Sequence, residues 1–397
     1  MQVLRPGPTL VALATMVFVF GTACEKKSAA GSAPGETAGS WKDPHEGEIV
    51  FGEVSSLTGQ EATFGASTHN GIMLAVKEIN DAGGIDGKKI RVITYDDQGK
   101  PTEAAAATTR LIVQDKVHMV IGEVASSRSL AMAPIAQSNK VPMLTPASTN
   151  PRVTEGKDYV FRICFVDPFQ GTVMAKFARE TLQIDKVAVL RDVRNDYSVG
   201  LANYFVESFV DRGGTIVADQ SYSAGDIDFK AQLTTIRAAS PQAIYVPGYY
   251  TDVALVARQA RELGIKVPLL GGDGWDSSKL YEIAGDALEG SYFSNHYSLD
   301  NPDPRIRSFL QKYEAAYGQA SDAMSALAYD AVMIAAQAVK AAGSTDGAKL
   351  RDALAATKDF QGVTGKITID SDRNAVKPAV VLEIKGRKPV FAATVDP

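Results

Sequence analysis

Residues 122–150 read GEVASSRSLAMAPIAQSNKVPMLTPASTN. Just ahead of them His118-Met119-Val120-Ile121 is a short apolar run, and Val141-Pro142-Met143-Leu144 inside them is another. Runs of this length bounded by turn residues fit buried strands. Each ends in small hydroxyl residues: Ser126, Ser127 and Ser129 after the first, Thr145, Ser148 and Thr149 after the second. A helical run from Leu130 to Gln137 lies between them. Two parallel strands of one sheet then end side by side in polar loops, and ligands of open α/β sheets sit outside the carboxyl ends of the strands. A helix after Ser127 aims N–H groups without intrahelical acceptors at that spot, which suits an anion such as a carboxylate. The same hydroxyls also serve as helix caps and turn formers. One such loop pair decides little unless the arrangement recurs.

It recurs along the chain. Ile49-Val50-Phe51-Gly52 reads as a strand whose loop carries Phe64, followed by a helix with Ile72, Val76 and Ile79 on one face. Ile90 to Tyr95 is the next strand, ending at Asp96-Asp97, which reads as a solvated turn; a helix from Thr102 to Gln114 leads into the quoted stretch. A second series starts after Phe161-Arg162-Ile163. Its strands Lys186–Leu190, Thr215–Ala218, Ala243–Val246 and Val267–Leu270 lead into loops bearing Tyr197, Tyr249 and Gly271-Gly272-Asp273-Gly274-Trp275. Strands alternating with helices of this length predict an α/β chain with doubly wound parallel sheets. Beyond Asn295 the pattern turns helical over Ile306–Tyr317 and Ala323–Ala342, then closes with strands Lys366–Ile369 and Ala379–Ile384. These late helices read as completing the first domain, so the chain crosses between domains more than once.

The 397 residues suffice for two domains, with 45% hydrophobic residues for their cores and a net charge of -5 that gives no basic face for nucleic acid. The two cysteines, Cys24 and Cys164, exclude a disulfide framework; Cys164 in FRICFV reads as a buried structural thiol. Arg5 followed by the apolar Leu10–Phe20 has the form of a secretory leader, too short to span a bilayer. Cleavage after Gly21-Thr22-Ala23 leaves Cys24 first, as in a bacterial lipoprotein signal, although Gly21 stands where Leu is usual. Ordinary cleavage near Ala23 is the alternative. Residues 25–47, rich in Ser, Ala, Gly and charge, have the composition of a flexible tether, which favours the lipid anchor.

The stretches LTGQEATFG, INDAGGIDGKKIRVITYDD, IGEVASS, TPAST, DPFQG, RQARELGI and GGDGW stand together in one order. In them the chain from about Glu48 onward resembles the periplasmic leucine/isoleucine/valine-binding proteins of bacterial ABC importers. The resemblance implies a type I periplasmic binding protein: two flavodoxin-like lobes joined by three crossovers, near Arg162–Val166, near Asn295–Tyr297 and between Gly365 and Val380. The lobes would comprise residues 48–163 with 297–376 and residues 166–294 with 377–392, after a signal peptide (1–24) and the tether (25–47). It implies ligand contacts from Ser126 and Thr149, the Ala147 carbonyl, and Phe64, where the branched-chain binders carry Tyr; the loop hydroxyls Ser127 and Ser148 are counted as ligand candidates beside them. Tyr197 and Tyr249 would follow from the second lobe. Asp273 would take the ammonium, in place of the Glu associated with branched-chain selectivity. Trp275 joins the aromatic walls. The family disulfide is absent, its positions falling near Gly99 and at Ala125.

The expected function is capture of an apolar amino acid between closing lobes for an inner-membrane ABC permease, as a monomeric periplasmic or envelope protein held at most by a lipid on Cys24. Physical chemistry agrees: an α-amino acid needs donors at one end, a carboxylate at the other and apolar walls between. Asp273 between glycines also fits a plain turn. Placed at the cleft, it is expected to face an open, wet space. No cofactor and no catalytic constellation is read: no HExxH, no GxSxG, and Gly83–Lys89 lacks the spacing of a phosphate loop. The rival from another class is an envelope lipoprotein of the same fold that senses a ligand or regulates a protein partner.

Overall fold

The computed structural model describes residues 42–395. Cys24, the leader and residues 25–41 of the tether therefore lie outside the described residues. The strands of the first lobe are β1 (Glu48–Ser55), β2 (Lys89–Asp96), β3 (Met119–Ile121), β4 (Met143–Thr145) and β5 (Val160–Arg162). They pair in parallel in the order β2-β1-β3-β4-β5. In the second lobe β6 (Lys186–Asp192), β7 (Thr215–Tyr222), β8 (Ala243–Tyr245), β9 (Leu269–Gly271) and β10 (Tyr292–Asn295) repeat that winding as β7-β6-β8-β9-β10. Both are the flavodoxin-like order, whose switch point lies between the two strands flanking the crossing. The central strands β3, β4, β8 and β9 are wholly buried. That is why they read as unbroken apolar runs rather than alternating ones.

The helices α1 (Ala62–Asp81), α2 (Pro101–Thr109), α3 (Ser126–Asn139), α4 (Asp167–Lys176), α5 (Asp196–Asp211), α6 (Lys230–Ala238), α7 (Tyr250–Glu262) and α8 (Ser278–Ala284) connect these strands. The chain then leaves the second sheet for α9 (Pro304–Tyr317), α10 (Ala323–Ala342) and α11 (Gly347–Ala355). As expected, α10 completes the first lobe by packing on α1. Close approach needs Gly71 there, because a Cβ at that position would stand 2.1 Å from the Ser325 carbonyl oxygen. A small sheet of β11 (Phe360–Gly362), β12 (Gly365–Ile369) and β13 (Ala375–Val376) follows. The chain returns to the second sheet as β14 (Ala379–Lys385), antiparallel to β10, and β15 (Lys388–Val395), antiparallel to β14. The three passages between the sheets fall after β5, after β10 and before β14.

Three local expectations are corrected. The helix read from Leu130 begins at Ser126, because the Ser126, Ser127 and Ser129 hydroxyls bond outward and leave the helix backbone free to form. Asp97 is not a solvated turn residue. It is fully buried, accepting from the Ser56 hydroxyl at 2.6 Å and the Gly99 N–H at 2.9 Å. Residues 43–45, assigned to the tether by composition, pack against the first lobe: Asp43 accepts from His118 Nε2 at 3.0 Å and from the Thr345 hydroxyl at 2.8 Å, and His45 Nε2 meets the Asp115 carbonyl at 2.8 Å.

Candidate ligand site between the lobes

The strand-end loops of the two sheets meet, and they are bonded to each other. From the first lobe the Ser127 hydroxyl accepts from the Asp196 N–H at 3.0 Å, and Asn150 Nδ2 donates to the Asp196 carbonyl at 2.9 Å. From the second lobe the Tyr250 hydroxyl donates to the Gln60 carbonyl at 2.8 Å, and Asp276 accepts from the Ala323 N–H at 2.7 Å. Between them lies a cavity of about 10 Å³ walled by Phe64, Val124, Ala125 and Ala147 on one side, Tyr197, Tyr249, Asp273 and Gly274 on the other, and Met324 from α10. That is about the space one water occupies, so entry of anything larger requires the lobes to part.

Asp273 is buried, not open to a wet cleft as expected. Its Oδ1 accepts from Gln170 Nε2 at 2.8 Å and the Tyr197 hydroxyl at 2.9 Å, and its Oδ2 accepts from His296 Nε2 at 3.0 Å. Burial holds His296 below its ordinary pKa, against the pull of the Asp273 charge, and holds the Tyr197 phenol far above its own. All three partners are therefore neutral donors at pH 7, and the carboxylate's charge is left without a cation. A carboxylate offers about four lone-pair sites; three are used here, and Asp273 stands in the cavity wall. A bound ammonium is the group that answers both deficits.

At the first-lobe wall, Ala125 is the N-cap of α3; its own N–H donates to Glu123 Oε2 at 2.6 Å and the Arg128 N–H donates to the Ala125 carbonyl, so the N–H groups of Ser126 and Ser127 stand at the positive end of the helix dipole. The Thr149 hydroxyl stands beside the carboxyl of Asp167, which burial pushes up to about 8 with Thr149 and Arg162 opposing. Arg162, fully buried, fixes this loop: its guanidinium donates to the carbonyls of Ser148, Asn150 and Pro151 and to the Thr154 hydroxyl, and its Nε donates to Asn374 Oδ1 at 2.7 Å.

Four of the expected residues wall the cavity together with Asp273: Phe64, Ala147, Tyr197 and Tyr249. The Phe64 ring meets Tyr249 edge-on with centroids 5.7 Å apart, and Tyr197 stacks on Tyr249 at 5.3 Å. Four others stand behind the wall, the Ser126, Ser127 and Ser148 hydroxyls occupied and the Thr149 hydroxyl buried without a hydrogen bond. The Ser126 hydroxyl accepts from the Asn150 N–H at 3.2 Å, Ser127 holds Asp196, Ser148 bonds Ser129 and the Glu123 carbonyl, and Thr149 lies by Asp167. Trp275 is corrected outright. Its indole N–H donates to the Val246 carbonyl at 3.0 Å and its ring lies over Gly271, where a Cβ would stand 2.0 Å from it. It floors the second sheet instead of walling the cavity. Sequence reading missed Val124, Ala125, Gly274 and Met324 in the wall, and Gln170 and His296 as partners of Asp273. His296 follows β10 directly, so the strand-end rule that found Asp273 also pointed to it. Cys164 is the buried thiol it was read as.

A family described as periplasmic binding protein matches residues 48–388. The chain belongs to the periplasmic binding protein family. A leucine-, isoleucine-, valine-, threonine- and alanine-binding protein of Pseudomonas aeruginosa is 31% identical over 81% of this chain and 86% of its own. The branched-chain amino acid transporter substrate-binding protein of Streptococcus pneumoniae, solved with isoleucine, is 38% identical with a TM-score of 0.84, covering 88% of this chain and all of its own. A solute-binding protein of an ABC transporter from Rhodopseudomonas palustris, solved with 3,4-dihydroxybenzoic acid, is 27% identical with a TM-score of 0.80, covering 88% and 98%. As a family member this chain is a substrate-binding protein of ABC transporters and acts in the periplasm. The family is one of binding proteins, not of enzymes.

Proposed function

We propose that the protein captures a branched-chain or other apolar α-amino acid between two closing lobes, residues 48–163 with 297–376 and residues 166–294 with 377–392, and delivers it to an inner-membrane permease. The observation that carries this reading is Asp273: a buried carboxylate at the cavity wall, held by three neutral donors and facing the helix terminus that suits an α-carboxylate. Phe64, Val124, Tyr249 and Met324 supply the apolar walls. The relatives divide between amino acids and an aromatic acid, and the carboxylate favours the amino acids. An aromatic acid brings a second negative charge and no ammonium to Asp273. A thermal-shift screen of the folded domain tests this: leucine, isoleucine or valine at about a hundred times its dissociation constant stabilises by about 2.7 kcal/mol. Stabilisation by hydroxybenzoates and by no amino acid would overturn the reading.

The envelope attachment proposed for Cys24 has a simple test. Cys24→Ala is expected to move the protein from the membrane fraction to the soluble periplasm. A wild-type protein already wholly soluble there means ordinary cleavage near Ala23.

A further inference from the structure

Beside the cavity, sharing Ala125 and Tyr249 with it, runs a groove of about 300 Å³ between the lobes. Glu61, Gly99 and Arg128 line it from the first lobe; Asp192, Arg194 and Tyr249 line it from the second. Arg128 stands in the first turn of α3, immediately after the serines, and is 5% exposed. Its Nε donates to Glu123 Oε2 at 2.9 Å, and its Nη1 donates to the Gly99 carbonyl at 3.3 Å and to Glu61 Oε2 at 3.4 Å. Its Nη2 is buried and makes no hydrogen bond. A buried charged group with an unsatisfied donor is costly, and the first-lobe carboxylates Glu61, Glu123 and Asp97 that hold this guanidinium leave Nη2 unused.

We propose that Arg128 and Glu61 form a polar far end of the binding site, which admits α-amino acids ending in a carboxamide alongside the apolar ones. The proposal rests on the amino-acid reading above. The charge balance picks the carboxamide. Glu61, Glu123, Asp97 and Asp192 outnumber Arg128 and Arg194 around the groove, and burial pushes Asp97 up to about 7, with the neighbouring Glu123 adding to it. Burial likewise raises Glu61. A ligand ending in a carboxylate would add a further negative charge to a site already crowded with them. A ligand ending in an ammonium would meet the free edge of Arg128. A neutral amide carries an acceptor for Arg128 Nη2 and two donors for the Glu61 carboxylate, and it brings no net charge into a low-dielectric place. The α-amino and α-carboxyl groups stay at Asp273 and the α3 terminus, and the aliphatic stem passes between Ala125 and Tyr249.

Titration calorimetry with glutamine, glutamate and leucine, on the wild type and on Arg128→Lys and Glu61→Ala, tests it. Glutamine is expected to bind the wild type at least tenfold more tightly than glutamate. Each substitution should weaken glutamine at least tenfold and leave leucine within about threefold. Glu61→Ala leaves the Arg128–Glu123 pair in place, so it serves if the Arg128 variant fails to fold. If leucine binds but glutamine does not, or both fall together in both variants, the polar end is refuted while the amino-acid site stands. If none of the three amino acids binds, both readings fall.

Discussion

Asp273→Asn is expected to cost the amino acid roughly thirtyfold to several thousandfold in affinity. The substitution removes the counter-charge of an ammonium in a closed, water-poor cavity, and losing one partner of such a pair typically costs about 2–5 kcal/mol. The free protein suffers too, because Asp273 is buried with three donors aimed at it from Gln170, Tyr197 and His296. An asparagine amide turns an NH2 toward at least one of them. A buried donor left without an acceptor costs about 1–3 kcal/mol, so the variant should also melt earlier. The two effects separate with the 2-keto acid matching the amino acid. It lacks the ammonium and should lose far less affinity on substitution. If Asp273→Asn binds the amino acid as tightly as wild type by calorimetry, Asp273 is a structural residue and the ammonium lies elsewhere.

Arg162→Met should be the second severe change, for a reason that involves no direct contact with ligand. Arg162 ends β5 at the first passage between lobes and donates to the Ser148 and Asn150 carbonyls on either side of Thr149. Its Nε bond to Asn374 ties this passage to the segment just before the third. Methionine fills the volume but removes the charged donor from two buried carbonyls, leaving Asn150 with the Val153 N–H and Ser148 with the Cys164 thiol, at about 1–3 kcal/mol for each bond lost. A stability loss of about 2–6 kcal/mol in denaturant titration is expected, with weaker ligand binding in whatever remains folded. Arg162→Lys keeps a cation but not the fork, and should fall between. A loss under about 1 kcal/mol with unchanged affinity would mean that the loop holds its shape without the guanidinium.

Much of this molecule could be read from local pattern, and the failures share a cause. Apolar runs ending in hydroxyl, tyrosine or glycine-rich loops located the strand ends, and the winding follows from alternation of strand and helix. Ala323–Ala342 was read to the residue because Asp322 caps it at one end and Gly343, at φ +54°, closes it at the other. What the pattern leaves open is the side of a loop to which a residue turns. Asp273 and Trp275 are two positions apart in one glycine-rich loop, yet one walls the cavity and the other lies on the strand behind it. Asp97 follows a strand end like a solvated turn, but Ser56 and Glu123 from two other loops enclose it. Met324 reaches the site from the start of a helix far along the chain. Such placements depend on contacts between distant segments, for which a single strand or helix gives no signal. Helix propensity was overridden in the same way at Ser126-Ser127, where hydroxyls engaged elsewhere no longer compete with the backbone.

The central claim is that ligand contacts are divided between two lobes which must part for entry and close on the amino acid. A ligand favours the state in which both sets of contacts exist, and shifts the population toward it. Small-angle X-ray scattering of the folded domain, with and without saturating leucine, measures this directly. The account predicts a smaller radius of gyration with leucine bound. An unchanged radius at demonstrated saturation would contradict it and place binding on a single lobe or in a site already closed.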